Sequence, residues 1–351
     1  MQRNDLLIPS WPGDQLDSPE PPAPEPPSFD AALGAWVLSR HEDVLAAFRS
    51  SALAPAGPHT KRPRTAEDQS ARRPMRAETL EALSPAQLRD WSAQLTPSIA
   101  TRISSLPEDA PVDLVADYLS PLCLELAVLV TGIDPIHAAH YARIAEPISA
   151  SAAEPYDLAL RDSAKTATAQ LQGCFHSRTE TLRDSGFVAL AYTLPCLIAN
   201  AWYALFLRPE QWTLLHTQPD LTDQAIEELL RFAGLTRILF RQATQDLAIG
   251  PATIRQGDRI ILRLIAANRD PARFPNAKTL DITSREPGQL SLGAGAHACV
   301  GASLIRMAAI LLTRPLAQAF QQITLGQTVE WQGGSGFRSP RHLPVRLVRK
   351  P

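Results

Sequence analysis

The chain has 351 residues, 45% of them hydrophobic and 20% charged, with a net charge of −2. That composition supplies a substantial core and excludes a disordered or fibrous chain, while the near-neutral balance excludes a generally basic, nucleic-acid-binding surface. The four cysteines (Cys123, Cys174, Cys196, Cys299) are scattered and form no Cys-x-x-Cys pair, which points to a reducing cytoplasm and leaves single thiols available as ligands.

The first residues, Met1-Gln2-Arg3-Asn4-Asp5, lack the apolar stretch of a signal peptide. Residues 9–28 are dense in proline, which predicts an extended leader over 1–28 and a single domain over 29–351. A short strand is expected over 34–39 and an amphipathic helix over 42–48. The stretch 58–76 is polar and basic. Long helical patterns follow at 84–105, 112–131 and 135–180. From Ser185 to Leu207 no residue is charged, a length that could span a bilayer. It carries Tyr192, Pro195, Asn200 and Tyr203 and has no counterpart elsewhere in the chain, so it reads as the buried central helix of a large helical protein, with no membrane involved. Residues 223–232 form a further helix with one apolar face, and alternation over 242–264 predicts short strands turning at Gly250 and Gly257. Helices dominate, a small sheet accompanies them, and no internal repeat is visible.

The most informative segment is Leu292-Gly293-Ala294-Gly295-Ala296-His297-Ala298-Cys299-Val300-Gly301. Its glycines permit a tight turn and a close approach to something flat. Cys299 ends the loop just before a helical pattern, where a helix N-terminus lowers a thiol pKa. A thiolate so placed suits iron; the plainer reading is a glycine-rich turn before a buried cysteine. The segment resembles the haem-binding loop of the cytochrome P450 family, Phe-Gly-x-Gly-x-His-x-Cys-x-Gly, with Leu292 in place of Phe. The resemblance runs from about Trp36 to Val348. It implies a mainly α fold with a small β region, a single large helical domain enclosing haem b. It also implies Cys299 as the axial iron ligand, in a loop shaped by Gly293, Gly295 and Gly301. Losing the aromatic edge at Leu292 bears on redox potential rather than on ligation.

The family's second signature, Glu-x-x-Arg on a helix, fits Glu228-Leu229-Leu230-Arg231. Residues three apart share a helix face and can pair, though an exposed pair of this kind is common and weak. By resemblance Arg285 completes a buried structural triad with Glu228 and Arg231. Haem propionates call for fixed cations, and the resemblance assigns His297, Arg241 and Arg76 to them. Arg72 stands where the family carries a histidine, and Pro74 interrupts that presumed helix. His137 and His140 have a spacing that can bind metal but no third ligand nearby, and they read as surface residues.

In the family's central helix small residues, an acid and an alcohol serve oxygen activation. The equivalent segment here is Ala189-Leu190-Ala191-Tyr192-Thr193. Leu190 fills the glycine position, Tyr192 replaces the acid, and Thr193 keeps the alcohol, which makes Thr193 and Tyr192 the candidate catalytic pair. A phenol is a poor proton relay at neutral pH. Pro195 is expected to free a carbonyl one turn earlier. The chain is short between Gly132 and Gly186, where the family roofs its pocket. A more open distal side follows, suited to a large, peptide or carrier-bound substrate. Three readings stand: a monooxygenase of a natural-product intermediate served by a ferredoxin-type partner; the same haem enzyme performing peroxide-dependent, coupling, dehydration or rearrangement chemistry; and a catalytically silent docking module.

Overall fold

A computed structural model of the chain describes residues 23–58, 60, 76–108, 110–174, 186–326 and 328–349. In chain order its named elements are β1 (Ser28–Asp30), β2 (Ala35–Leu38), α1 (His41–Arg49), β3 (Leu53–Pro55), α2 (Pro85–Ser105), β4 (Pro111–Asp113), α3 (Ser120–Thr131), α4 (Ala138–Ala153), α5 (Leu158–Cys174), α6 (Gly186–Phe206), α7 (Pro209–Thr217), α8 (Thr222–Ala233), β5 (Ile238–Ala243), β6 (Leu247–Ile249), β7 (Ala252–Ile254), β8 (Arg259–Arg263), α9 (Leu264–Ala267), α10 (Ala302–Ala319), β9 (Phe320–Leu325), β10 (Trp331–Gly333), β11 (Arg338–Pro340) and β12 (Pro344–Arg349). A five-stranded sheet runs β1-β2-β8-β5-β3, with β2 and β8 parallel and the other pairs antiparallel. The expected turns form at Gly250 (φ 53°), inside the β6–β7 hairpin, and at Gly257 (φ 89°), where the chain passes from β7 to β8 in another sheet; only glycine adopts this backbone freely.

The helical core gathers around α6. Trp202 donates its indole N–H to Thr313 of α10 at 3.0 Å, and Asn200 donates to the Arg338 carbonyl of β11 at 2.8 Å. Of the described helices this one alone is long and apolar enough to cross a membrane, and 72% of its most apolar window is buried inside the protein. Surrounding helices cover its apolar surface, as expected for a core helix.

The pattern over 135–180 resolves into two helices. Pro155 has no N–H and disfavours helical geometry at the residue before it, and Glu154 leaves the helix at φ −121°, ψ 70°. Proline also explains two π turns, Val115–Leu119 and Ala189–Thr193. Each is followed by one residue and then a proline, Pro121 or Pro195. The amide between donates five residues back, Ser120 to Val115 and Leu194 to Ala189. A missing proline N–H leaves the carbonyl four residues earlier unclaimed, and the helix widens there. At Asp117 the freed carbonyl accepts from Arg102 at 3.2 Å.

Residues 25–27 lie against the folded chain. Glu25 donates its N–H to Ser39 Oγ at 2.8 Å, that hydroxyl donates to the Glu25 carbonyl at 3.1 Å, and Pro27 is buried. The proline-rich segment up to residue 22 lies outside the described residues.

Candidate active site

The segment 292–301 forms a cradle pressed against α1. Gly293 (φ 71°) and Gly295 (φ 64°) occupy the left-handed region. A Cβ on Gly293 would sit 3.2 Å from the His297 carbonyl oxygen, and one on Gly295 would sit 3.1 Å from the Phe48 carbonyl oxygen. Cys299 donates its backbone N–H to the Leu292 carbonyl at 2.7 Å and closes the turn. A Cβ on Gly301 would rest 3.9 Å from the Cys299 sulfur. Helix α10 begins directly after Gly301, as the sequence predicts.

The electrostatics of the thiol differ from expectation. Burial pushes the Cys299 thiol above its ordinary pKa, outweighing the Gly301 N–H and the Arg76 and Arg306 charges that favour the thiolate. The helix N-terminus acts in the expected direction, but desolvation wins.

Three basic side chains, His297, Arg241 and Arg76, converge beside this loop. Burial, then Arg241, then Arg76 hold His297 below its ordinary pKa, opposed by its hydrogen bond to the Leu53 carbonyl. Arg241 on β5 is 5% exposed and burial lowers it to about 10. Its Nη1 donates to the Phe240 carbonyl at 2.8 Å, its guanidinium lies 5.5 Å from the Phe48 ring centre, and its buried Nε has no partner. Among the described residues no carboxylate pairs with Arg241 or Arg76. Arg72 lies outside the described residues.

Glu228 and Arg231 meet in a buried bidentate pair, with both N–O distances 2.7 Å. Arg285 does not complete it. Arg285 is exposed and donates to Gln224 at 3.3 Å, so the expected buried triad is a dyad sealed by backbone. Arg231 donates to the carbonyls of Asn268, Ala277 and Thr279, each at 3.0 Å, and Glu228 accepts from the Asp281 N–H at 3.2 Å. Asn268 escaped notice in the sequence. Its side chain holds Ser291 Oγ and the Leu290 N–H, both at 2.7 Å, which ties the dyad to the start of the cysteine loop. The run Asn268-Arg269-Asp270-Pro271 was the available signal, an Asn/Asp-Pro turn cluster.

On α6, Leu190 and Ala191 are buried within the π turn. Tyr192 gives its hydroxyl proton to the Ala142 carbonyl of α4 at 2.5 Å, and burial pushes its pKa up to about 12. The phenol therefore ties the central helix to the roof. Thr193 is half-buried on the same turn. His137 and His140 pack their rings near Tyr141, and no group of three metal-ligating side chains occurs among the described residues.

The cytochrome P450 family model matches residues 215–332, a span that contains the dyad, Arg241 and the cysteine loop. The chain is 40% identical over 151 residues to the biotin biosynthesis cytochrome P450 of Bacillus subtilis, an alignment covering 42% of this chain and 38% of that protein. It is 26% identical over 370 residues to cytochrome P450 130 of Mycobacterium tuberculosis, covering 93% and 90%. The match thus takes in less than half of the first relative's length and most of the second's. Among solved structures, P450BioI in complex with hexadec-9Z-enoic acid ligated acyl carrier protein superimposes with a TM-score of 0.83 at 22% identity, over 92% of this chain and 94% of that one. The fold is the cytochrome P450 fold, a haem-protein architecture. Over residues 215–332 the chain matches the cytochrome P450 family model, and the relatives and solved structures it resembles are cytochromes P450.

That family implies a haem cofactor, and the residues present fit one. A cysteine thiol on a glycine-lined loop offers the axial sulfur, and the buried guanidinium of Arg241, with the half-buried Arg76 and His297 as further donors and no carboxylate among the described residues paired with either arginine, suits a ligand that brings two carboxylates.

Proposed function

We propose that residues 29–351 form one haem b domain and that the protein is a haem-thiolate oxidoreductase, a monooxygenase in the oxidative tailoring of a natural-product intermediate. The observation that carries this reading is Cys299 on its cradle beside Arg241, which has no carboxylate partner among the described residues, with His297 and Arg76 as further donors. When bound, haem supplies the oxygen-activating iron. Cys299 would ligate that iron, and His297, Arg241 and Arg76 would hold the propionates.

The distal residues favour a particular substrate over general oxygenation. General acid–base groups contribute about 10²–10⁴-fold, and Ser185 to Leu207 contains no carboxylate. Thr193 is the remaining hydroxyl able to position a proton-bearing water. The same observation favours, as a second reading, chemistry that needs no acid–alcohol relay, such as peroxide use or coupling. The solved relative bound to an acyl carrier protein supports a carrier-bound substrate here; a ferredoxin-type electron donor and a cytoplasmic location belong to the same proposal. Purified protein supplied with a ferredoxin, its reductase and carrier-bound acyl substrates tests the reading. Oxygenated product in step with electron consumption supports monooxygenation; product formed with peroxide alone supports the second reading.

Two consequences follow at single residues. Arg241→Leu removes a charge-assisted contact of about 1.5–3 kcal/mol. Haem transfer to apomyoglobin should accelerate about tenfold or more while the thiolate spectrum keeps its position; unchanged transfer would take Arg241 off the propionates. Tyr192→Phe removes the phenol's hydrogen bond to the Ala142 carbonyl, a loss of about 1 kcal/mol. Thermal stability should fall slightly and the coupling of electrons to product should stay the same. A large fall in coupling would instead make the phenol part of proton delivery.

A further inference from the structure

Arg237 lies ahead of β5 and belongs to none of the machinery above. Its backbone is extended and paired on both sides: its N–H donates to the Gly336 carbonyl at 2.9 Å and its carbonyl accepts from Leu264 at 3.0 Å. Alternate residues of a strand share a face, so Arg237, Leu239 and Arg241 point the same way. Arg237 stands about 13 Å along the strand from Arg241. It is 7% exposed and its Nη1 donates to the Gly334 carbonyl at 2.7 Å; a carbonyl does not neutralise a buried guanidinium, so an anion is favoured beside it. Burial lowers its pKa to about 9, Arg338 and Arg263 push in the same direction, and among its neighbours Glu154 alone opposes them. Arg263 also feels the exposed Glu25.

Glu154 is the first residue of the roof loop between α4 and α5. Its carboxylate accepts the Ser335 backbone N–H and lies near Arg237 and Arg338. Burial nevertheless raises its pKa, with help from Asp157. The seat is shaped for a carboxylate. A Cβ on Gly334 would overlap the Glu154 carboxylate and one on Gly336 would overlap the Ala152 carbonyl, so the β10–β11 hairpin meets the end of α4 backbone to backbone. Gly336 donates to the Ala153 carbonyl at 2.8 Å. Beside this carboxylate the Ser335 hydroxyl is 1% exposed and has no hydrogen-bond partner. A buried donor left idle next to an occupied anion seat fits a second ligand that uses it.

We propose that Arg237 and Ser335, with Arg338, form a carboxylate-binding site of the substrate chamber, filled by Glu154 while the roof loop is docked, and that the substrate carries a carboxylate which takes Glu154's place. The proposal rests on the haem-enzyme reading for its chamber, whereas the binding step needs only this chain's side chains. An arginine fork binds a carboxylate in two parallel bonds, so an acid should outbind its alcohol of equal length.

The test is calorimetric titration of the holoprotein with octanoate, dodecanoate and hexadecanoate and with the three matching alcohols. The reduced carbon monoxide spectrum is recorded first for every variant. That spectrum reports the haem reading, and the acid-to-alcohol ratio reports the proposal, so either can fail alone. At least one acid should bind about tenfold tighter than its alcohol. Glu154→Gln should tighten the acid and leave the alcohol unchanged, Ser335→Ala should weaken the acid, and Arg237→Met should erase the preference. If Arg237→Met fails to fold, the Glu154 and Ser335 variants decide. Absence of acid binding, equal binding of acid and alcohol, or an acid weakened by Glu154→Gln overturns the proposal.

Discussion

Arg231→Ala should yield almost no soluble, haem-containing protein. The substitution removes one partner of a buried ion pair whose N–O distances are 2.7 Å and strands Glu228, which is 4% exposed. Breaking such a pair from one side costs about 3–5 kcal/mol, because the remaining charge stays buried and uncompensated. The carbonyls of Asn268, Ala277 and Thr279 lose their donor in the same step. A typical domain is stable by only about 5–15 kcal/mol, so this loss consumes much of the margin. Arg231→Lys should be nearly as damaging, since an ammonium cannot reproduce the fork. Replacing both partners with apolar residues should recover part of the soluble yield, because no lone charge remains. Yield and haem content measure the effect, and normal values for Arg231→Ala would show that the dyad does not hold the fold.

Cys299→Ser should abolish the strongly red-shifted Soret band of the reduced, carbon monoxide-bound protein. Sulfur donation to iron is what displaces that band, and a serine hydroxyl offers a hard, weakly donating oxygen at the same place. The fold should survive. The Cys299 backbone turn to Leu292 needs no sulfur, and Cys299 is only partly buried. Near-normal helicity with a lost band is therefore the expected pairing. Retention of the band in the serine variant would place the axial ligand elsewhere. Cys123 and Cys196 are poor candidates, because both are buried in the helical core among apolar side chains, whereas Cys299 is partly exposed on its glycine-lined loop.

The local patterns were legible because each depends on neighbours in the chain. The glycines around Cys299 announce a turn whose left-handed residues, Gly293 and Gly295, lie inside the motif itself. The Glu228–Arg231 pair is readable because one helix turn brings the two side chains together. Pro195 similarly announces the irregularity in α6, since a missing N–H acts on the carbonyl four residues earlier. The helix break at Pro155 was equally available from that rule, but the periodicity on either side outweighed it in the prediction of one long helix.

The sequence by itself determined the class of cofactor loop, the presence of a charged pair on α8 and the absence of any carboxylate in the central helix. All three are statements about residue type at short spacing, and packing cannot alter them. Tertiary structure alone decided which long-range partner each polar group found. Arg285 was expected to join the dyad, but backbone carbonyls of Asn268, Ala277 and Thr279 occupy Arg231 instead, and Arg285 remains at the surface. Tyr192 gives its proton to Ala142, fifty residues away in the chain. Glu154 meets the Ser335 amide and Arg237 only because α4 ends against the β10–β11 hairpin. Even the direction of the Cys299 shift depended on burial. Desolvation and distant hydrogen bonds are properties of the packed molecule, and no spacing along the chain encodes them.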